Sequence, residues 1–487
     1  MTSRDDDRFA NGKLARLGLA DAARAEAAQA LLAQGREDGI ETIRVLFADQ
    51  HGVLRGKTLV AERLGAALAD GITVPSTLLL KDTSGRTVFP VWSEDSEVAA
   101  GPMQGAGDIL LVPDPASYRR LPWAPHSAWL LCDVFFTTGE SVPFAPRALL
   151  ANSIARLAEA GMEMVAGLEV EFHVFAQDPA GLDHADATMP PRPPTTSALA
   201  PGYQLLSETL YDRLEPVMDR LRRAAAGIGL PVTSTEVEMG PSQFEFTFAP
   251  ASPMAHADNL VMFRTLVKEV CARDGLHASF MCRPRVENAA ASGWHLHQSL
   301  TDSATGANLF MPDEATGPTA LAGQWIAGLL THARESCLLT TPTVNGYKRF
   351  QPFQLAPDRI SWGMDNRGAM IRALFAAGDP ASRIENRVAE PAANPYYVFA
   401  GQIAAGLAGV AGEMVPPPRT ETPYAGAGET LPANLGEAID AFEGSDLFRE
   451  AFGSDVVDYL VRLKRAEWAR YLAALSEWEQ AEYFGLY

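Results

Sequence analysis

The sequence predicts an α+β protein, with a small β-rich region near the N-terminus and a larger region of alternating helix and strand patterns. Three observations predict it. Glu41–Leu59, ETIRVLFADQHGVLRGKTL, alternates Ile43, Val45 and Phe47 before a Gln50-His51-Gly52 turn, the pattern of two strands. Pro143–Gly161, PFAPRALLANSIARLAEAG, carries apolar residues at helical spacing. From Leu205 to Thr301, helix, strand and helix patterns follow one another. At 487 residues the chain is too long for one ordinary domain and can bury a large core without crosslinks.

In chain order, residues 1–37 read as a polar tail and one Ala-rich helix. Residues 38–140 form the β-rich domain, closed by the strand AWLLCDVF. Residues 141–487 form the larger domain. Its first helix is followed by a strand, MVAGLEVEFHVF, and then by the Pro-, Ala- and Gly-rich stretch Gln177–Gly202. That stretch reads as a long loop, a kind that is usually functional or disordered. A second such stretch, Pro416–Pro432, precedes a helical C-terminus ending EWEQAEYFGLY.

Composition is that of a globular protein, 47% hydrophobic and 21% charged. A net charge of -20 speaks against nucleic acid as a partner, since phosphate calls for a positive field. Four cysteines without a CxxC pair predict reduced thiols and a cytoplasmic protein. The charged N-terminus is unlike a secretory signal, and no apolar run suits a membrane span.

The chemistry-bearing residues sit at strand spacing. In LEVEF, Glu169 and Glu171 share one face of a strand while Val170 and Phe172 share the other. Taken alone, the pair reads equally well as a solvated face or as a site. In EVEMGPSQFEFTF, Glu238 and Glu245 flank a turn that brings them together, and Phe244, Phe246 and Phe248 alternate with Glu245. SGWHLHQSL places His295 and His297 on one face, as a metal ligand pair or as structural histidines. Three later segments supply arginines: TPTVNGYKRF (Arg349), WGMDNRGAMIR (Arg367, Arg372) and SRIENRVAEPAANPYY (Arg383, Glu385, Arg387). Acidic strands that bind Mg²⁺ or Mn²⁺, with planar guanidinium forks, suit a clamp on polyphosphate. The common phosphate-cradling glycine loops are absent.

The order of LEVEF, EMGPSQFE, SGWHLHQSL, TPTVNGYKRF, DNRGAMIR and RIENRVAEPAANPYY resembles the glutamine synthetase family across most of residues 40–400. The resemblance implies a β-grasp-like N-terminal domain and a catalytic domain built on a curved antiparallel sheet. It implies ATP and two or more Mg²⁺ or Mn²⁺ as cofactors. It also implies a homo-oligomer, a double-ring dodecamer with sites between neighbouring subunits. Glu171, Glu238 and Glu245 match one metal site, and Glu169, His295 and Glu385 the other. His297, Ser299, Arg372 and Arg383 match nucleotide contacts; Arg349, Arg387 and Gly293 match glutamate contacts. Arg367 matches the arginine that steadies the transferring phosphoryl group. Asp49 matches an aspartate that serves a neighbouring subunit's site by binding and deprotonating ammonium.

Three departures refine the expectation. The glutamate-binding loop, Asn-Gly-Ser-Gly in the family, reads Ala290-Ala291-Ser292-Gly293. Leu355 stands where the flap normally carries a glutamate for ammonium. GETLP replaces the loop of the regulatory tyrosine, so that regulation is not expected. Leucine offers apolar surface in place of charge, worth about 25 cal/mol per Å² covered. The expected substrates are therefore glutamate and a larger, apolar or aromatic amine, with Leu355, Phe353, Trp294 and Trp362 as pocket candidates. The alternatives are an ordinary ammonium-using synthetase, a phosphotransferase on a related fold, or an inactive relative; intact ligand positions speak against the last.

Overall fold

The computed structural model describes residues 8–92, 102–178, 183–313, 317–425 and 428–487. Two sheets organise it. The first has six strands, with Ala124–Phe136 at its centre. That strand pairs in parallel with Thr42–Ala48 and antiparallel with Asp108–Pro113. The expected hairpin is present: Thr42–Ala48 pairs antiparallel with Leu54–Val60 around the Asp49–Val53 turn. The N-terminus differs from expectation. A short helix, Lys13–Arg16, ends near Gly18 at φ 71°, and a separate helix, Ala22–Glu37, starts at Asp21, which caps Arg24 N at 2.8 Å. The expected tail at residues 1–7 lies outside the described residues.

The second sheet has nine strands. Across it run Trp362–Met364, Ile371–Leu374, Arg383–Asn386, Trp294–Asp302, Met162–Gln177, Gln243–Ala251 and Val232–Val237. Its pairs are antiparallel except Trp362–Met364 with Ile371–Leu374. The stretch expected as a loop from Gln177 to Gly202 is partly strand: Thr196–Ala198 extends the sheet by pairing with Phe175–Gln177. Residues 179–182 of it lie outside the described residues.

Period-2 alternation divides this sheet by chemistry. Val170, Phe172, Phe244, Phe246 and Phe248 turn to the helix Pro253–Arg273, where Phe172, Phe246 and Phe248 pack on Phe263 at 5.2–5.7 Å between centroids. Such aromatic pairs add about 0.5–1.5 kcal/mol each beyond the area they bury. The carboxylates therefore face the opposite side of the sheet. The helix Pro395–Ala411 starts at Asn394, whose Oδ1 accepts from Tyr396 N at 3.2 Å. Its Nδ2 donates to Asp49 O at 3.0 Å, tying the first sheet's hairpin turn to the AANPYY segment. Arg264 donates to Gly52 O at 3.0 Å in the same junction. Gly52 has φ 67°, and a Cβ there would lie 2.6 Å from the Arg264 guanidinium, so the turn requires glycine.

Candidate active site

Strand register assembles the site in rows. Glu236, Glu245 and Glu171 lie side by side across three strands. Thr247, Glu169 and His295 form the next row. Arg372, Glu385, His297 and Gly167 form a third. Neighbours in such rows have Cβ atoms about 5 Å apart, close enough to share one ion. A Cβ at Gly167 would stand 2.9 Å from that of His297, so glycine makes room for the imidazole.

Side chains complete the geometry. His295 Nδ1 donates to Glu169 Oε1 at 2.6 Å and lies 3.8 Å from Glu385 Oε1. His297 Nε2 lies 3.1 Å from Glu169 Oε2. Glu171 Oε2 accepts from Gly293 N at 2.9 Å and from Gln243 Nε2 at 3.2 Å. Gln243 also donates to Ser292 Oγ at 2.9 Å, which lies 3.3 Å from His173 Nδ1. Gln243 and His173 among these supports of Glu171 were not picked out from the sequence, and neither was Glu236. The EVE spacing that places Glu236 and Glu238 on one face was the available signal.

Ligand atoms of Glu171, Glu238 and Glu245 lie within 4.8 Å of one another, as do those of Glu169, Glu245 and His295, and of Glu169, His297 and Glu385. Burial, and then Glu238, pushes Glu171 up to about 8. Burial, with Glu169, Glu171 and Glu238 beside it, pushes Glu245 up to about 11. Glu238 is raised chiefly by burial. Burial opposes ionisation of Glu169, yet hydrogen bonds from His295 and His297 hold it far below the usual carboxylate range. Burial and Arg387 lower His295, so its imidazole is neutral and available as a ligand. Buried carboxyls crowded this closely fit divalent cations, whose charge removes the repulsion.

Two cavities open on the rows. One, of about 520 Å³, is lined by Glu169, Glu171, Glu236, Glu238 and Glu245, and by Arg349, Arg367, Arg372 and Arg387. Leu205, Leu206, Met239, Ala290, Ala291, Gln354 and Leu355 line the same cavity. The second, of about 310 Å³, is lined by His297, Ser299, Arg383, Thr233 and Phe248. Glu169 and Thr247 line both. Arg383 Nε donates to His297 Nδ1 at 3.2 Å on the second side. Arg349 is buried, donates to Arg387 O at 2.7 Å and approaches His295 Nε2 at 3.4 Å. A Cβ at Gly293 would stand 2.5 Å from that guanidinium. Arg387 donates to Glu385 and, at 3.2 Å, to Leu355 O.

Several expectations need correction. Trp294 neighbours His295 on a strand and must face away; it is fully buried against Phe399, 5.7 Å between centroids, and lines no pocket with Leu355. Trp362 is buried too, its Nε1 donating to Pro417 O at 2.6 Å. Phe353 stays 80% exposed and leans on Tyr424 at 5.1 Å instead of lining the cavity. Arg372, expected on the nucleotide side with His297, bonds Glu385 at 3.0 Å and Asp365 at 2.9 Å and lines the acidic cavity. His297 is not set apart from the metal ligands, since it shares Glu169 with His295. Asp49, expected to serve a neighbour's site, offers no open carboxylate. Its side chain is wholly buried, pairs with Arg55 Nε at 2.8 Å and accepts from His51 N and Val53 N at 2.9 and 3.0 Å.

The rim of the acidic cavity is strained where its floor is regular. Leu206 (φ 55°) and Leu355 (φ 54°) line it in the left-handed region, and Tyr203 (φ 65°) and Phe353 (φ 63°) stand beside them in sequence. Each costs on the order of 1–3 kcal/mol, which surrounding structure must offset. Leu206 N donates to Val237 O at 3.1 Å, fixing that loop over the edge strand.

Comparison with known proteins agrees with this geometry. Residues 143–483 match the family described as glutamine synthetase, catalytic domain. A γ-glutamylanilide synthase of Acinetobacter sp is 37% identical over 480 residues, 95% of this chain and 96% of its own. A γ-glutamylethanolamide synthetase of Streptomyces coelicolor is 33% identical, covering 93% of this chain and 94% of its own. A solved structure described as apo GmaS without ligand superposes with TM-score 0.78 at 30% identity, covering 93% of this chain and 99% of that one. An acid-lined antiparallel sheet faced by arginines, matched along nearly its whole length, therefore places the chain in the glutamine synthetase family.

Proposed function

We propose that the protein is an ATP-dependent ligase that joins the γ-carboxylate of glutamate to an organic amine. The observation that carries the reading is the pairing of an intact acid-and-histidine floor with leucine at the flap position, Leu355, on the cavity rim. The floor serves phosphoryl transfer; the rim accepts something less polar than ammonium.

Arg349, Arg387 and the Gly293 segment hold glutamate, with Ala290-Ala291 giving a looser hold than the family loop. His297, Ser299 and Arg383 meet the nucleotide from the other side. Glu171, Glu238 and Glu245 hold one divalent ion, and Glu169, His295 and Glu385 another. Metal bound there supplies charge neutralisation of the phosphate oxygens. The γ-carboxylate oxygen attacks the γ-phosphorus, the bond to ADP breaks, and γ-glutamyl phosphate forms, with Arg367 steadying the moving phosphoryl group. The amine nitrogen then attacks the acyl carbon and phosphate departs.

A homo-oligomer, the double-ring dodecamer implied by the family resemblance, fits the exposed C-terminus. Leu475, Trp478, Phe484, Leu486 and Tyr487 are exposed on the single chain, an apolar surface of the kind subunit contacts cover. No helix among the described residues is long and apolar enough to cross a membrane.

The test is phosphate release from ATP with Mg²⁺, glutamate and a panel of amines, with products identified by mass. Faster γ-glutamyl amide formation from an organic amine than glutamine formation from ammonium sustains the reading. Preference for ammonium returns the protein to the ordinary synthetases.

A further inference from the structure

We infer that the amine is weakly basic, an arylamine that enters already uncharged. The inference rests on the ligase reading and narrows its substrate. Four observations carry it. First, the rim of the acidic cavity presents Leu205, Leu206, Leu355, Ala290 and Ala291. Leu206 is 62% and Leu355 52% exposed, although exposed leucine in the left-handed region is disfavoured twice, by backbone sterics and by hydration. Strained apolar groups held at a cavity mouth point to an apolar ligand that covers them.

Second, four of the five carboxylates of that cavity are committed. Glu169, Glu171, Glu238 and Glu245 belong to the ion-holding sets, and Glu236 stands in the Glu245 row, its Oε1 accepting from Ser234 Oγ at 2.9 Å. Third, Asp49 is buried and paired with Arg55 at 2.8 Å, so its carboxylate is engaged within the hairpin turn. Fourth, Arg349, Arg367, Arg372 and Arg387 face the same space. An ammonium group entering here meets four guanidinium groups and leucine, and of the carboxylates lining the cavity Glu236 alone stands outside the ion-holding sets to offset its lost hydration. An arylamine avoids that loss, because delocalisation of its lone pair into the ring leaves it neutral at pH 7. Its nitrogen attacks the acyl carbon of γ-glutamyl phosphate. The C–N bond forms, and the C–O bond to phosphate breaks. Phosphate leaves with the electron pair and takes the proton that the nitrogen sheds.

The experiment compares amines of equal size and unequal basicity on the wild-type enzyme: aniline and cyclohexylamine, beside isopropylamine and ammonium. Hydroxylamine serves to trap γ-glutamyl phosphate as the hydroxamate. An aliphatic amine as basic as lysine, pKa about 10.4, is neutral in under about one molecule in 10³ at pH 7. The expected kcat/KM for aniline exceeds that for cyclohexylamine at least about 100-fold at pH 7, and the gap narrows towards pH 9. Cyclohexylamine or isopropylamine equal to aniline at pH 7 overturns the inference and leaves the ligase reading standing. Ammonium as the best substrate, or no hydroxamate at all, defeats the ligase reading itself. L206A and L355A lower the aniline-to-methylamine ratio of kcat/KM by about tenfold, the worth of the lost apolar contact. An unchanged ratio in both shows that the rim does not touch the amine and overturns the assignment.

Discussion

The floor and the rim of the acidic cavity are built in opposite ways. The floor is sheet: Glu236, Glu245 and Glu171 follow from register, and their backbones are regular. The rim is loop: Leu206 and Leu355 hold left-handed backbones, and side chains there stay half exposed. The floor concentrates repulsion of the kind a divalent ion relieves; the rim concentrates strain and exposed apolar surface, which the proposed amine would cover. Chemistry that must not vary sits on the rigid element, and choice of partner sits on connections that tolerate substitution.

Removing a floor ligand is the sharpest way to break this division. E245A lowers ligation about 10³-fold or more, since the metal site supplies several kcal/mol. It also relieves like-charge crowding, so the Tm in EDTA equals or exceeds that of the wild type. ATP turnover and thermal denaturation on one preparation check both halves. Activity near wild type means that Glu245 is no ligand.

Changing the rim leaves turnover and moves choice. L355E raises the ammonium-to-aniline ratio of kcat/KM by about 10–100-fold, the worth of a hydrogen bond to a charged group. Competition between the two amines, read by product mass, measures it directly. A ratio that stays put removes Leu355 from the amine's path.

The floor also sets a pH dependence. Glu171 at about 8 and Glu245 at about 11 bind protons in the folded metal-free protein that an unfolded chain, near 4.5, has released. Their contribution to stability is complete below 4.5 and is lost as pH rises through the folded values. Glu169 and Glu385, held low, contribute equally at pH 5.5 and pH 8. EDTA therefore lowers the Tm more at pH 8 than at pH 5.5, and Mg²⁺ closes the difference. An equal loss at both values contradicts the crowding.

The smallest effect is expected from the tryptophans. W294F and W362F keep amine preference within about twofold while costing about 1–3 kcal/mol of stability, because both rings are buried away from the cavity. A large change in preference restores them to the pocket.

Much of the floor was legible in the sequence because strand alternation is local. Glu169 with Glu171, and His295 with His297, share faces by spacing alone. The same rule puts Trp294 on the opposite face from His295, so strand spacing alone excludes it from the pocket. Register was not legible. Nothing local tells that Glu236 stands beside Glu245, or that His297 reaches the carboxylate that His295 uses. The Asp49–Arg55 pair, six residues apart across a turn, depends on how the hairpin closes. The rim leucines at 205 and 206 follow a stretch that reads only as loop, and the contact of Leu206 with Val237 is tertiary.

Glu169 borders both cavities and is held by two histidines, one oxygen each. It is thus common to both cavities. Any ligand that draws this carboxylate towards one cavity alters the affinity of the other, and reciprocity requires the same factor in return. Occupancy at one end is communicated to the other through a single side chain, without any movement of the sheet.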